Sequence, residues 1–178
     1  MKDLTFEPRR LKLARQLLGF TQNEIGERIG VSRQFLNQLE SGQRTPSKEM
    51  QEALAAALLV EQDFFSKPLE SEFANDDCNF RKLESSRVRD IEQVLAHAAL
   101  LAELVRLLEE ELELPEPNFP HFKADDAESI ERAAERARLH WGLTADQPID
   151  SVIRVAESAG AVVVKFPGVA ASWSRRTR

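Results

Sequence analysis

The chain has a single cysteine and no long apolar run, and these two features exclude disulfide-bonded and membrane-spanning classes of protein. Cys78 alone cannot form a disulfide within the chain, which favours a reducing compartment. Residues 94–108, the most apolar stretch, contain a histidine and two charged residues, whereas a membrane helix needs about 20 mostly apolar residues. An apolar segment after the charged N-terminus, as in a signal peptide, is also lacking. We therefore expect a cytoplasmic protein without a membrane segment.

The usual marks of enzyme sites are missing as well. The three histidines, His97, His121 and His140, are 24 and 19 residues apart, so no two lie one helical turn apart as an HExxH zinc site requires. The sequence has neither a glycine-rich phosphate loop nor a nucleophile elbow. Acidic neighbours disfavour the reactive thiolate of Cys78. We expect no catalytic activity, no metal and no cofactor.

Charge is unevenly distributed along the chain. The whole chain has a formal net charge of -6, yet residues 1–48 contain nine Lys or Arg and five Asp or Glu, a net charge of +4. The remainder therefore carries -10. A basic block ahead of an acidic region is typical of a small DNA-binding domain attached to a region with a different partner.

Residues 1–68 have the pattern of short helices with clear ends, and we expect them to form one domain. Pro8 fits the first turn of a helix. Thr21 and Glu24 have the spacing of a capping box. Ser32 and Ser47 precede further helical patterns and are suited to cap them.

Residues 21–39 predict a helix-turn-helix, in which the second helix lies in the major groove of DNA. Arginine side chains match guanine edges, and Asn and Gln match adenine. We expect the base contacts to come from Ser32, Arg33, Gln34, Asn37 and Gln38. Leu36 and Leu39 turn inward on this spacing, and Phe35 is left exposed. Phe35 would then touch thymine methyl groups or pack on a partner or on its own arm.

Basic residues around this element are candidates for phosphate contacts, the main source of sequence-independent affinity. They are Arg9, Arg10, Lys12, Arg44 and Lys48. The alternative for each is an ordinary solvated surface charge.

The segment LKLARQLLGFTQNEIGERIGVSRQFLNQLESGQRTPS resembles the Cro/C1-type, or XRE, helix-turn-helix family, from about residue 9 to residue 65. The resemblance implies a five-helix domain in which Gln22 holds a DNA phosphate. It also implies that Arg15 and Glu40 form a structural salt bridge. Gly26 stands where the family usually has alanine, a change that costs on the order of 1 kcal/mol of helix stability.

Beyond this domain we predict a linker over residues 69–86 and a mainly α-helical region over 87–178. Its expected elements are a long helix at 87–112, a proline-rich non-helical stretch at 114–120, helices near 125–140 and 148–159, and one strand at 161–166. The segments DFFSKP, CNFRKLESSRVRD and ERARLHWGLTADQPIDSVIRVAESAGAVVV resemble regulators that join an XRE domain to an ImmA/IrrE-like zinc peptidase domain. The sequence ends before any HExxH motif, so we expect a truncated peptidase-like region used for dimerisation or sensing.

These observations predict a repressor-like regulator that binds double-stranded DNA as a homodimer on a two-fold operator. The long helix has more apolar surface than the short elements after it can cover, so we expect dimer contacts from Leu101, Leu104, Val105 and Leu108. A monomer with this helix at the centre of its C-terminal domain is the alternative.

An antitoxin that autoregulates its operon and binds a toxin through the acidic region is a second function, and a protease without its catalytic part is a third. A small-molecule effector is a further expected partner of the C-terminal region.

Overall fold

The computed structural model of the chain describes residues 5–70, 73, 87–144 and 146–165. They form two compact units, of which the first extends to Leu107 and the second covers Leu108–Lys165. This division falls inside a continuous helix and not at residues 69–86. Most of that predicted linker lies outside the described residues, so the linker stays a prediction.

The first unit is helical and carries the expected N-terminal domain. Its helices are α1 (Pro8–Leu17), α2 (Gln22–Ile29), α3 (Arg33–Glu40), α4 (Lys48–Leu58), a 3-10 helix (Gln62–Ser66) and most of α5 (Val88–Glu111). The fifth helix of the N-terminal domain is thus a 3-10 helix. The predicted long helix is confirmed to within one residue at each end.

Side-chain caps define where these helices begin. The Thr21 hydroxyl accepts a hydrogen bond from the Glu24 backbone N–H (3.2 Å), and the Glu24 carboxylate accepts one from the Thr21 backbone N–H (2.6 Å). This backbone bond and a second from the Thr21 hydroxyl lower the pKa of Glu24. Ser32 and Ser47 cap α3 and α4. Gly30 ends α2 in the left-handed conformation, with a φ of 73°.

A compact core holds the N-terminal helices together. Its fully buried side chains are Leu11, Ile25, Leu36, Leu39, Leu54, Leu58 and Phe65. Phe35, expected to be exposed, is half-buried and packs against this core. The expectation was wrong because the ring is long enough to reach the core from the edge of the helix.

Helix α1 is buried on two sides. Leu11 and Ala14 face the core of the N-terminal helices, whereas Leu13 packs against Ala96 and Ala99 of α5. Small side chains at a helix contact let the two backbones approach closely. Helix α5 therefore packs on the N-terminal domain mainly through alanines, whereas Leu104, Leu107 and Leu108 further along it are exposed.

Arg10 strengthens the attachment of α5. Its Nη1 donates to Glu103 Oε2 (2.9 Å), its Nε to the Lys67 carbonyl (3.0 Å) and its Nη2 to the Pro68 carbonyl (2.6 Å). Arg10 is only 4% exposed. The prediction that it contacts a phosphate was therefore wrong, because its charge is buried and its hydrogen-bond donors face the protein.

The second unit contains α6 (Ala127–His140) and α7 (Val152–Ser158). Asp126 caps α6, which lies within the range predicted for a helix, and residues 114–120 are non-helical, as predicted. Helix α7 begins at Val152 and not at 148, because Ser151 caps it. Residues 161–165 do not form the predicted strand; a β-branched run needs a neighbouring strand to bond with, and the described ranges contain none. Within those ranges, no helix is both long enough and apolar enough to cross a membrane.

We predict that Arg10→Ala lowers the free energy of unfolding by about 3 kcal/mol, since it leaves the Glu103 carboxylate without its charge partner in a largely buried place. Urea denaturation of the purified chain measures this loss. Lys67→Ala is the control, because its exposed pair with Asp63 contributes about 0.5 kcal/mol or less. Equal losses in both variants would contradict the role given to Arg10.

Candidate DNA-binding surface

Helices α2 and α3 meet through a tight turn at residues 30–32. The Val31 backbone N–H donates to the Gly26 carbonyl (2.8 Å). A Cβ atom on Gly26 would lie 2.6 Å from the Val31 carbonyl oxygen, which is too close for an unchanged backbone. Glycine here permits this approach, and alanine would require the turn to shift.

The five residues predicted to contact bases come together at the start and outer side of α3. Ser32 precedes the helix, and its hydroxyl accepts a hydrogen bond from the Phe35 backbone N–H (3.1 Å). Arg33, Gln34 and Asn37 are exposed, as is Ser32, whereas Gln38 is half-buried. Helix α3 thus presents one cationic and two amide side chains to solvent.

A buried ion pair fixes the position of α3. The guanidinium of Arg15 donates from Nε to Glu40 Oε1 (2.6 Å) and from Nη2 to Glu40 Oε2 (2.9 Å). Its Nη1 donates to the Phe20 carbonyl (2.8 Å) in the corner between α1 and α2. Both side chains are buried. A single arginine therefore joins α1, that corner and the last residue of α3.

Gln22, at the start of α2, extends this network to the surface. Its Nε2 donates to Glu40 Oε2 (2.9 Å) and to Asn37 Oδ1 (3.1 Å). The amide that the resemblance assigns to a phosphate is thus engaged with two protein groups. Through Gln22, the exposed side chain of Asn37 is therefore linked to the buried pair.

The remaining basic residues differ in their surroundings. Lys12 and Lys48 are exposed. Arg44 is exposed, with its Cζ 5.5 Å from the centre of the Phe35 ring. Arg9 forms an ion pair with Glu7 (3.0 Å). Phosphate contacts by these residues stay predictions.

A cleft of about 700 Å³ opens beside α3. Its lining includes Gln22, Arg33 and Asn37, together with Arg89 and Glu92 from α5. Sequence reasoning assigned α5 to dimerisation and missed Arg89, because only the folded chain brings residue 89 next to the start of α2.

The second unit has a smaller cleft of about 410 Å³, lined in part by Trp141 and Arg154. Asn118 organises it: its side-chain oxygen lies 2.6 Å from His140 Nε2, and its carbonyl accepts a hydrogen bond from Trp141 Nε1 (2.9 Å). The expected effector and toxin stay predictions.

In the part of the chain that the structure describes, no three His, Cys, Asp or Glu side chains are grouped to hold a metal ion.

Comparison with known families identifies the N-terminal part. Residues 11–63, less than a third of the chain, match the family model HTH_3, described as Helix-turn-helix. The matched model is of the XRE type, and the match supports a DNA-binding transcriptional regulator. No match was found among curated proteins or solved structures. The ImmA/IrrE-like resemblance beyond this region stays a prediction.

We predict that Glu40→Ala lowers the free energy of unfolding by about 3–5 kcal/mol, because it leaves the Arg15 guanidinium buried without its carboxylate. Thermal and urea denaturation measure the loss. The double variant Arg15→Met with Glu40→Leu should recover most of it, since replacing both charges removes the unpaired group. A Glu40→Ala protein of unchanged stability would contradict a structural role for this pair.

Proposed function

We propose that the chain is a sequence-specific regulator of transcription, repressor-like in action, that reads double-stranded DNA with α3 in the major groove. The observation that carries this proposal is the exposure of Arg33, Gln34 and Asn37 on a helix held in place by the buried Arg15–Glu40 pair. The helix-turn-helix match at residues 11–63 supports the same conclusion.

The chemistry of these side chains suits base edges. The major groove, about 12 Å wide, admits an α-helix, and a guanidinium can donate twice to the O6 and N7 atoms of guanine. The amides of Gln34 and Asn37 can each donate to N7 and accept from N6 of adenine. Arg44 and Lys48, also exposed, supply cations for the phosphates that flank the groove.

We predict that Arg33→Ala and Gln34→Ala each weaken binding to the specific site by about 1–3 kcal/mol and barely change binding to random duplex DNA. Lys48→Ala is the matched comparison: a phosphate contact carries no sequence information, so it should weaken both complexes alike and lower the salt slope by about 0.9. Fluorescence anisotropy titrations measure all three. If Arg33→Ala and Gln34→Ala lost equal affinity on both duplexes, the base-reading role of α3 would be rejected.

We further propose that two copies associate through α5. One face of this helix carries Leu101, Leu104, Val105 and Leu108, of which Leu104 is 53% exposed. Apolar side chains at this spacing form a continuous stripe, and a second copy would remove it from water. A two-fold dimer also suits DNA, because it places two reading helices about 34 Å apart on one side of the duplex.

We predict that Leu104→Glu converts a dimer into a monomer of 20.1 kDa and weakens operator binding, while the N-terminal domain stays folded. Burying a carboxylate in an apolar interface is costly. Sedimentation equilibrium at micromolar concentration measures the mass. Leu59→Glu, at an exposed leucine away from this stripe, should leave the mass unchanged. A wild-type chain that remains monomeric with and without DNA would rule out the dimer.

A further inference from the structure

One wall of the cleft beside α3 comes from outside the helix-turn-helix match. The match ends at residue 63, whereas Arg89 and Glu92 belong to the first turns of α5. These two residues line the same cleft as Gln22, Arg33 and Asn37. The start of α5 therefore borders the surface that carries the proposed base-reading residues.

Two contacts fix α5 in this position. Gln93, one helical turn after Arg89, donates from Nε2 to the Leu17 carbonyl at the end of α1 (2.9 Å). Further along α5, Glu103 accepts the hydrogen bond from Arg10. Because both partners lie on α1, the first turn of α5 is held at a defined place beside α2.

The guanidinium of Arg89 is open to an incoming anion. Its Nη1 lies 3.7 Å from Glu24 Oε1, and the two side chains are 43% and 44% exposed. An exposed pair at this distance is weak. Glu24 already accepts hydrogen bonds from the backbone N–H and hydroxyl of Thr21. No other partner of Arg89 is found within the described ranges, and a guanidinium has five N–H donors, so it has donors to spare for an anion.

The charges lining the cleft favour an anion. Three of the lining residues, Lys12, Arg33 and Arg89, are exposed cations. Glu40 also lines the cleft, but its charge is paired with Arg15. Glu92 remains as a half-buried carboxylate. This surplus of positive charge lies beside Arg33 and Asn37, which the proposed function places against DNA.

We propose that Arg89 is a DNA phosphate contact supplied by α5, so that the DNA-binding surface extends beyond the helix-turn-helix domain. A guanidinium can donate two parallel hydrogen bonds to a phosphate, which suits this role. The inference rests on the proposed function, because it assumes that α3 lies in the groove. It also makes α5 a helix that contacts the DNA backbone directly, in addition to any role in association.

The test measures DNA affinity of the full chain by fluorescence anisotropy between 50 and 200 mM salt, on a selected duplex and on a random one. Arg89→Gln should lower the slope of log K against log salt by about 0.9, and weaken both complexes about eightfold at 0.1 M salt. Arg89→Lys should keep the slope, since the charge remains. Arg132→Gln, which removes an exposed arginine of α6 paired with Glu128, is the control and should match wild type.

The outcomes separate this inference from the proposed function. Arg89→Gln with wild-type slope and affinity overturns the inference while the DNA-binding function stands. A loss confined to the selected duplex would make Arg89 a base-reading residue and would also overturn it. A gain in affinity would show that α5 obstructs DNA, and the inference would again be overturned. Wild-type protein that binds neither duplex overturns the proposed function, and this inference with it.

Discussion

The buried ion pair between Arg15 and Glu40 is the interaction on which the proposed DNA-binding surface depends. Two charges removed from water are tolerated only when they are paired at good geometry, so this contact strongly specifies the arrangement of α1 and α3. Gln22 connects this pair to the surface, because its amide donates hydrogen bonds both to Glu40 and to the exposed Asn37. Side chains held in this way lose little conformational freedom on binding, which favours specific recognition.

Helix α1 contacts both α3 and α5 and fixes their positions in the unit. Arg15 points from it toward α3, while Arg10 and Leu13 contact Glu103 and the alanines of α5. The N-terminal domain and the start of α5 therefore pack as one compact unit. A displacement of α5 would have to break the buried Arg10–Glu103 pair, and we infer that its position relative to α2 is well defined.

Much of the first unit could be predicted from local sequence, because caps and helical periodicity are local properties. Thr21 with Glu24, and the serines at 32 and 47, start helices where expected. Arg10 could not be placed, because a basic residue near a DNA-binding helix has the same local pattern whether it is exposed or buried. The apolar residue Leu13 lies on the side of α1 that faces α5. It was the sign in the sequence that another helix covers this side of α1. The predicted strand failed because strand formation depends on a distant partner, and Arg89 was missed because its neighbours are about 65 residues away in the chain.

The central claim is that α3 reads DNA bases, and the most direct measurement is selection of bound sequences from a pool of random duplex DNA with the purified full chain. If α3 reads bases, the pool converges on one motif with guanine and adenine at fixed positions. The same selection with Arg33→Ala should leave one of these positions degenerate and keep the others. A pool that is retained through charge alone and stays random after repeated rounds would contradict the account.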